Sequence, residues 1–115
     1  MTALRLVIVD NDEAVLALLL LDLRLEGHEI VATAMDGESA VRLCEEHQPD
    51  VLIVDLRLGP GINGLEVAER VRREGLRTVL HTNYVTPEVV EAAKRSGTIV
   101  IEKGSLSALR RAVVG

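Results

Sequence analysis

Five short runs of apolar, largely β-branched residues alternate along the chain with five segments whose apolar residues recur at helical spacing. Strands that alternate strictly with helices are joined by right-handed crossovers, so they pair in parallel and the helices cover both faces of the sheet. The predicted strands are residues 4–9, 29–32, 51–54, 78–81 and 98–101. The predicted helices are residues 12–26, 38–47, 65–74, 87–96 and 106–114. The sequence therefore predicts one α/β domain over residues 1–115.

The amino-acid composition supports an α/β fold and argues against nucleic-acid-binding and membrane-spanning proteins. The chain of 115 residues has no Trp or Phe and one Tyr, so its core must be aliphatic, as in parallel sheets that are buried on both faces. The net charge of −5 without a basic run argues against nucleic acid or an anionic membrane as a direct partner. The densest apolar run, residues 14–21, is far shorter than the ~20 residues of a membrane span. The single cysteine, Cys44, predicts a small core residue in a reducing, cytoplasmic compartment.

Chemistry-bearing residues follow the predicted strands. In an open parallel sheet the binding crevice lies outside the carboxyl ends of the strands, where the strand order reverses. The residues at those ends are Asp10, Asn11 and Asp12 after the first strand, Asp55 after the third, Thr82 after the fourth and Lys103 after the fifth. A capping role is the alternative for any single one of these carboxylates. Together they predict one site.

This set of residues suits phosphoryl chemistry. Carboxylates without a neighbouring His or Cys favour a hard cation such as Mg²⁺, and a lysine with a hydroxyl adds two donors for an anion. Asp55 is the predicted nucleophile, because a carboxylate can form an acyl phosphate, while Mg²⁺ and Lys103 offset charge on the transferring group. The glycines that follow, Gly59, Gly61 and Gly64, are expected to keep the loop narrow beside Asp55.

Four local motifs in this order resemble the receiver domain of two-component response regulators. They are VIVDNDE with Asp10 and Asn11, DVLIVDLRL with Asp55, VLHTNY with Thr82, and VIEKGS with Lys103. The resemblance covers the whole chain. It implies a flavodoxin-like (βα)5 fold, with a five-stranded parallel sheet in the order 2-1-3-4-5 and helices on both faces.

The resemblance also implies a function. Asp55 would accept a phosphoryl group from a sensor histidine kinase or a phosphotransfer protein, and the domain would signal by a conformational shift. The Mg²⁺ ligands would be Asp10, Asn11, Asp55 and the Arg57 backbone carbonyl, with Asp12 as an additional candidate. Lys103 and Thr82 would hold the acyl phosphate. Such a protein is a phosphoacceptor that promotes its own phosphorylation and dephosphorylation, and is not otherwise an enzyme.

The resemblance bears on partners and boundaries as well. It allows a homodimer through the fourth helix, the fifth strand and the fifth helix. Family members meet kinase helices with their first helix, where Val15, Leu18, Leu19 and Leu23 are predicted to be buried and Leu16 and Leu20 are candidate docking residues. No output segment follows the fifth helix in this sequence, as expected for a stand-alone receiver or for part of a longer regulator.

The sequence departs from the family pattern at several positions. Asn11 replaces a carboxylate, Val100 stands where the switch aromatic is usual, Asn83 replaces a small residue, and Gly104 replaces a proline. The loop of residues 57–64 is one residue longer than usual. Because Tyr84 is the only aromatic residue, we expect it to gate the site.

Three alternatives remain open at this stage. Residues 59–64 match the dinucleotide pattern G-x-G-x-x-G, although no acidic strand end follows at the usual distance. Asp10 and Asp12 match the D-x-D start of haloacid-dehalogenase-like phosphatases, which would make Asp10 the nucleophile. A receiver-like fold that only binds other proteins, without phosphorylation, is the third. His28, His47 and His81 lack metal-ligand spacing and are expected in surface or packing roles.

Overall fold

The computed structural model describes residues 3–115 and contains five strands and five helices in strict alternation. The strands are β1 (Arg5–Val9), β2 (Glu29–Ala34), β3 (Val51–Val54), β4 (Arg77–Thr82) and β5 (Ile99–Glu102). The helices are α1 (Glu13–Leu25), α2 (Gly37–His47), α3 (Gly64–Val71), α4 (Pro87–Arg95) and α5 (Leu106–Val114). Within residues 3–115, no helix combines the length and the apolar character that a bilayer span requires.

The strands form one parallel sheet in the order β2-β1-β3-β4-β5, which confirms the predicted topology. The chain first adds β2 on one side of β1 and then returns to add β3 on the other side. The order therefore reverses at β1 and β3, and the crevice between their carboxyl ends is where a ligand site is expected.

The sheet is buried on both faces because its side chains alternate between two aliphatic layers. The residues that pack under α2 and α3 include Val7, Val9, Leu52, Val54 and Leu80. The residues that pack under α1 and α5 include Leu6, Ile8, Val51, Ile53 and Val79. Strand β3 is thus apolar along its whole length, and β1 is apolar from Leu6 to Val9, so their polar neighbours follow at the carboxyl ends.

Each helix begins at a side chain that accepts a hydrogen bond from the first helical turn. These N-caps are Asp12, Asp36, Asn63, Thr86 and Ser105. In α3 the cap is reciprocal, since Glu66 accepts a hydrogen bond from the Asn63 amide. Such caps stabilise a helix by about 1 kcal/mol each. They fix where each loop from the strand ends enters its helix.

Some element boundaries differ from the prediction. Strand β2 continues to Ala34 because Thr33 and Ala34 pair with Ile8 and Val9 of β1. Strand β4 extends by one residue at each end, and β5 runs one residue later than predicted, at Ile99–Glu102. Helix α3 ends at Val71 rather than residue 74, since no apolar residue follows until Leu76.

The buried face of α1 also differs from the prediction. Leu19 and Leu23 are buried as expected, but Leu18 is 50% exposed, so its predicted core position is wrong. The exposed leucines are Leu18, Leu21 and Leu25, whereas Leu16 and Leu20 are half-buried. The buried face instead contains a carboxylate, Asp22, which binds the guanidinium of Arg110 on α5 through two hydrogen bonds.

Candidate functional site

Backbone hydrogen bonds hold the residues that follow β1, β3 and β5. The Asp10 amide donates to the Ala34 carbonyl, at 3.1 Å, and the Asp55 amide donates to the Val9 carbonyl, at 3.1 Å. The Lys103 amide donates to the Thr82 carbonyl, at 3.0 Å. Each of these residues is therefore tied to a neighbouring strand one position beyond regular pairing, so their side chains meet at one edge of the sheet.

Lys103 joins the two buried carboxylates of this edge. Its Nζ lies 2.8 Å from Asp10 Oδ2 and 2.7 Å from Asp55 Oδ2. Asp10 is 1% exposed and Asp55 is 5% exposed. A buried charge is tolerated only when it is paired, and here one ammonium serves two carboxylates. The three groups carry a net charge of about −1, which leaves the site able to attract a cation.

The environment keeps Lys103 charged. Burial works against the ammonium, but the hydrogen bonds and charges of Asp10 and Asp55 outweigh it, so the pKa of Lys103 is raised above its ordinary value. At neutral pH the side chain is a fixed positive charge. It cannot act as a proton acceptor there, and its role is to neutralise anionic oxygens.

The second oxygens of the carboxylates bind backbone amides. Asp10 Oδ1 accepts from the Asp12 amide, at 2.9 Å, and Asp55 Oδ1 accepts from the Leu56 amide, at 2.6 Å. Asp12 in turn caps α1 by accepting from the Ala14 amide. The carboxylates are thus fixed in orientation before any ligand arrives, which lowers the entropy cost of reaction.

An open cleft of about 620 Å³ lies over Asp55. It is lined by Asn11, Asp12, Asp55, Leu56, Arg57, Leu58, Gly59, Asn63, Asn83, Tyr84 and Lys103. Most of the predicted site residues are therefore brought together here, and Asp55 is the buried carboxylate that the cleft reaches. Asp10 does not line the cleft and contacts Lys103 instead, which disfavours Asp10 as the nucleophile of a D-x-D phosphatase.

Thr82 also lies outside the cleft lining. It is completely buried, and its Oγ1 accepts a hydrogen bond from the Tyr84 amide, at 3.1 Å. The hydroxyl therefore keeps its own proton for donation. The same hydrogen bond couples the Thr82 side chain to the β4–α4 loop, in which Tyr84 lies.

The guanidinium of Arg57 stacks on the ring of Tyr84 across this cleft. Arg57 Cζ lies 3.9 Å from the ring centroid, which is a cation–π distance. Both residues line the cleft, and one follows β3 while the other follows β4. The pair links the loops that follow the two strands.

The glycines of the loop serve close packing rather than a nucleotide. A Cβ on Gly64 would lie 2.1 Å from the Asp55 carbonyl oxygen, and one on Gly61 would lie 2.7 Å from a carboxylate oxygen of Glu38. Glu38 Oε1 also accepts from the Ile62 amide, at 3.3 Å. An acidic side chain against the loop is unsuited to a pyrophosphate, so the dinucleotide interpretation of residues 59–64 is wrong.

The donor set fits Mg²⁺ through its chemistry. Asp10 and Asp55 provide carboxylate oxygens within hydrogen-bond distance of one ammonium, and the Asn11 and Asp12 side chains border the same cleft. Among residues 3–115, no group of three His, Cys, Asp or Glu side chains is arranged to hold a metal by itself. Mg²⁺ typically keeps several waters and takes only one or two carboxylates, so two acidic side chains are sufficient for it.

Two polar contacts near this site could not be predicted from the sequence. They are the anchoring of the loop by Glu38 and the stacking of Arg57 on Tyr84. Both join segments more than 20 residues apart, and neither follows from local spacing. The only indication in the sequence is that Glu38, Ile62, Arg57 and Tyr84 all lie in segments that follow strands of the same sheet.

Sequence comparison agrees with this geometry. The model of the family described as "Response regulator receiver domain" matches residues 6–113. The transcriptional regulatory protein PdtaR of Mycobacterium tuberculosis is 35% identical over 97 residues, which are 83% of this chain and 47% of PdtaR. The transcriptional regulatory protein AfsQ1 of Streptomyces coelicolor is 43% identical over 68 residues, which are 59% of this chain and 29% of AfsQ1. The chain thus spans less than half the length of these curated relatives.

Solved structures give the same result. The signal receiver domain of NarL from Mycobacterium tuberculosis superposes with a TM-score of 0.88 at 28% identity and covers 100% of this chain and 99% of its own. A DNA-binding response regulator of the LuxR family from Staphylococcus aureus superposes with a TM-score of 0.89 at 26% identity, over 96% of both chains. With the family model matching nearly the whole sequence, this chain belongs to the response regulator receiver domain family of two-component signal transduction.

Proposed function

We propose that residues 1–115 form one receiver unit that accepts a phosphoryl group on Asp55 in a Mg²⁺-dependent reaction. A carboxylate oxygen of Asp55 attacks the phosphorus of a phosphohistidine on a sensor kinase or phosphotransfer protein. The new O–P bond forms as the P–N bond breaks, and the imidazole nitrogen keeps the electron pair. The protein is a phosphoacceptor that also promotes loss of the phosphoryl group, rather than an enzyme acting on a separate substrate.

The observation that carries this proposal is the bridge from Lys103 to Asp55 and Asp10. The ammonium lies 2.7 Å from Asp55 Oδ2, so it is already placed to neutralise an oxygen of a group attached there. Asp55 is the buried carboxylate that lines the cleft, whereas Asp10 contacts Lys103 and does not line it. These positions favour Asp55 as nucleophile.

Mg²⁺ would be held by Asp10, Asn11, Asp55 and the Arg57 backbone carbonyl, with Asp12 as an additional ligand. When bound, the metal would supply positive charge for the oxygens of the transferring group. The protein's own residues position that group: Lys103 neutralises one oxygen, and Thr82 donates its hydroxyl proton to another. Because Thr82 is bonded to the Tyr84 amide, its shift toward the phosphoryl group would move the β4–α4 loop and change the surface there.

Intact mass spectrometry tests the proposal directly. Wild-type protein and Asp55→Asn are incubated with Mg²⁺ and phosphoramidate, a small donor that requires no kinase. We expect the wild type to gain the mass of one phosphoryl group and Asp55→Asn to gain none. Asp10→Asn serves as the control for the alternative nucleophile. A mass gain that persists in Asp55→Asn and disappears in Asp10→Asn would assign the reaction to Asp10.

The phosphorylation-independent interaction module is the second candidate. It is favoured by the neutral amide of Asn11 and by the buried position of Thr82. The mass experiment separates the two functions, because a module that only binds proteins gains no phosphoryl group from any donor.

Asn11→Asp is expected to tighten Mg²⁺ binding by about tenfold, because the affinity of oxygen-ligand sites rises with the number of charged ligands. The fluorescence of Tyr84, the only tyrosine, gives the binding curve, since Tyr84 borders the same cleft. Asp12→Asn tests the additional ligand: asparagine also caps helices, so α1 is preserved while one charge is removed, and weaker Mg²⁺ binding would support Asp12 as a ligand. Equal Mg²⁺ affinity in Asn11→Asp and wild type would exclude position 11 as a ligand.

Tyr84→Ala is expected to shorten the lifetime of phosphorylated Asp55 by about two- to fivefold, because a cation–π pair at a partly exposed site is worth about 0.5–1 kcal/mol. Loss of the ring frees the Arg57 side chain and opens the cleft to water. The decay is followed by intact mass after removal of the donor. Tyr84→Phe keeps the ring and should decay like the wild type, whereas an unchanged lifetime in Tyr84→Ala would refute the gating role.

Docking of the kinase is assigned to the exposed leucines of α1. Leu18, Leu21 and Leu25 share one side of the helix and are at least half exposed. They replace Leu16 and Leu20, which are half-buried, as the candidate contacts with kinase helices. A homodimer through α4, β5 and α5, and a cytoplasmic location, remain predictions of the family assignment.

A further inference from the structure

A second cavity, of about 290 Å³, shares only Lys103 with the lining of the cleft. It is lined by Val15, Leu18, Leu19, His81, Lys103, Gly104 and Leu106. It therefore sits between α1, the end of β4 and the turn from β5 into α5. Its volume is at the lower end of the range for small-molecule sites in proteins.

His81 is the polar side chain of this cavity that lacks a partner. It is 4% exposed, and its buried Nδ1 has no hydrogen-bond partner within residues 3–115. A buried polar atom without a partner keeps an uncompensated desolvation cost, which a ligand group that reaches this imidazole would offset. Burial, helped by the charge of Lys103, lowers the pKa of His81 and keeps its imidazole neutral.

The lining determines what kind of molecule fits. The ammonium of Lys103 is already bound to Asp10 and Asp55, so it offers little to an anion, and the leucine and valine walls disfavour any charged ligand. Water alone is also poorly held, because an ordered buried water needs two to four polar partners and the imidazole is one. A hydroxyl can either donate to or accept from a neutral imidazole, whichever nitrogen carries the proton.

We propose that this cavity binds a small, neutral, apolar molecule that carries one hydroxyl group, such as a phenol or a cyclic alcohol. Its ring packs on Val15, Leu19 and Leu106, and its hydroxyl pairs with the imidazole of His81. The occupant would touch the hydrocarbon chain of Lys103, whose ammonium holds Asp55. Binding would therefore alter the rate of phosphoryl uptake; this consequence, unlike the binding itself, rests on the proposed function.

Phenol is the probe, and toluene is its matched control because a methyl group replaces the hydroxyl. Both are titrated into ¹⁵N- and ¹³C-methyl-labelled protein and followed by NMR. We expect phenol to shift the signals of Val15, Leu19 and Leu106 with a dissociation constant in the millimolar range, at least fivefold tighter than toluene. His81→Leu should remove this difference and bind the two probes alike.

A second variant keeps the test decisive if His81→Leu does not fold. Leu18 is half exposed at the cavity wall, so Leu18→Trp should fill the space without disturbing the core, and it should abolish the phenol shifts. Equal binding of phenol and toluene to the wild type would overturn the role of His81. Phenol shifts elsewhere, or none, would overturn the site. Phenol binding with unchanged phosphoramidate uptake would remove only the regulatory consequence.

Discussion

Lys103→Met is expected to lower the free energy of unfolding by about 2–3 kcal/mol near neutral pH and to reduce phosphoryl uptake by more than tenfold. The variant leaves Asp10 and Asp55 as neighbouring buried carboxylates without a counter-ion, and removal of one partner from a buried charge set is strongly destabilising. The same loss should tighten Mg²⁺ binding, because the cation no longer competes with an ammonium. Added Mg²⁺ should therefore restore part of the variant's lost stability without restoring the phosphoryl uptake that depends on Lys103.

The pH dependence distinguishes this effect from simple loss of packing. The raised pKa of Lys103 means that its stabilising contribution is fully present below the unfolded-state pKa of about 10.4. The contribution disappears as the pH rises through the higher folded-state pKa. Wild type and variant should consequently converge in stability at strongly alkaline pH.

Thermal and urea unfolding, with and without Mg²⁺, provide the measurement. Lys94→Met is the matched control, since Lys94 is the other lysine of the chain and is exposed on α4. It makes the same change of charge and side chain away from the site, and its stability should lie within ~0.5 kcal/mol of wild type. If Lys103→Met unfolded like Lys94→Met, the salt bridges of Lys103 with Asp10 and Asp55 would make no measurable contribution to the free energy of unfolding.

Gly64→Ala should destabilise the protein by about 3 kcal/mol and impair phosphoryl uptake, although helix propensity alone predicts the opposite sign. Gly64 is the first residue of α3, where alanine normally stabilises by about 0.5–1 kcal/mol. The added Cβ, however, would lie 2.1 Å from the Asp55 carbonyl oxygen and 2.8 Å from its carbonyl carbon. Backbone atoms cannot rotate away, so the strand end that carries the acceptor must shift, and overpacking of this kind costs about 1–3 kcal/mol or more.

Gly59→Ala is the control within the same loop. Gly59 has a φ of +77°, and a Cβ there would meet no atom within 4 Å. Its substitution should therefore cost only the ~1–2 kcal/mol of a left-handed conformation and leave Asp55 in place. Urea unfolding and phosphoramidate uptake of both variants are compared. A Gly64→Ala protein more stable than wild type would show that the helix start has room for a methyl group.

The strand ends explain why so much of this site was predictable. Asp10 and Asp55 each follow an apolar run that forms a buried strand, and Lys103 follows the partly exposed strand β5. Parallel strands place their carboxyl ends at one edge. The pattern therefore predicted a parallel sheet and the meeting of these residues, and the family resemblance added the strand order. Neither predicted that Thr82 is closed off from the cleft.

The predictions failed where the spacing of apolar residues could not show which side of a helix is buried, and where a contact joined distant segments of the chain. Residues 15–21 of α1 are apolar without interruption, so their spacing could not show which side is buried, and Leu18 was misplaced. The buried side of α1 is the side that carries Asp22, and the hydrogen-bond partner of Asp22, Arg110, lies 88 residues further along the chain. The Glu38 contact with the loop and the stacking of Arg57 on Tyr84 depend in the same way on the assembled fold.

The backbone ties of Asp10, Asp55 and Lys103 also make the site a reporter of folding. The bonds from Asp10 to Ala34, from Asp55 to Val9 and from Lys103 to Thr82 exist only when all five strands have docked. A partly assembled sheet lacks at least one of these bonds, so we expect the complete site only in the fully assembled sheet. Phosphoryl uptake should rise in step with the last cooperative event of refolding, so that the fraction of reactive molecules equals the fraction that is fully native.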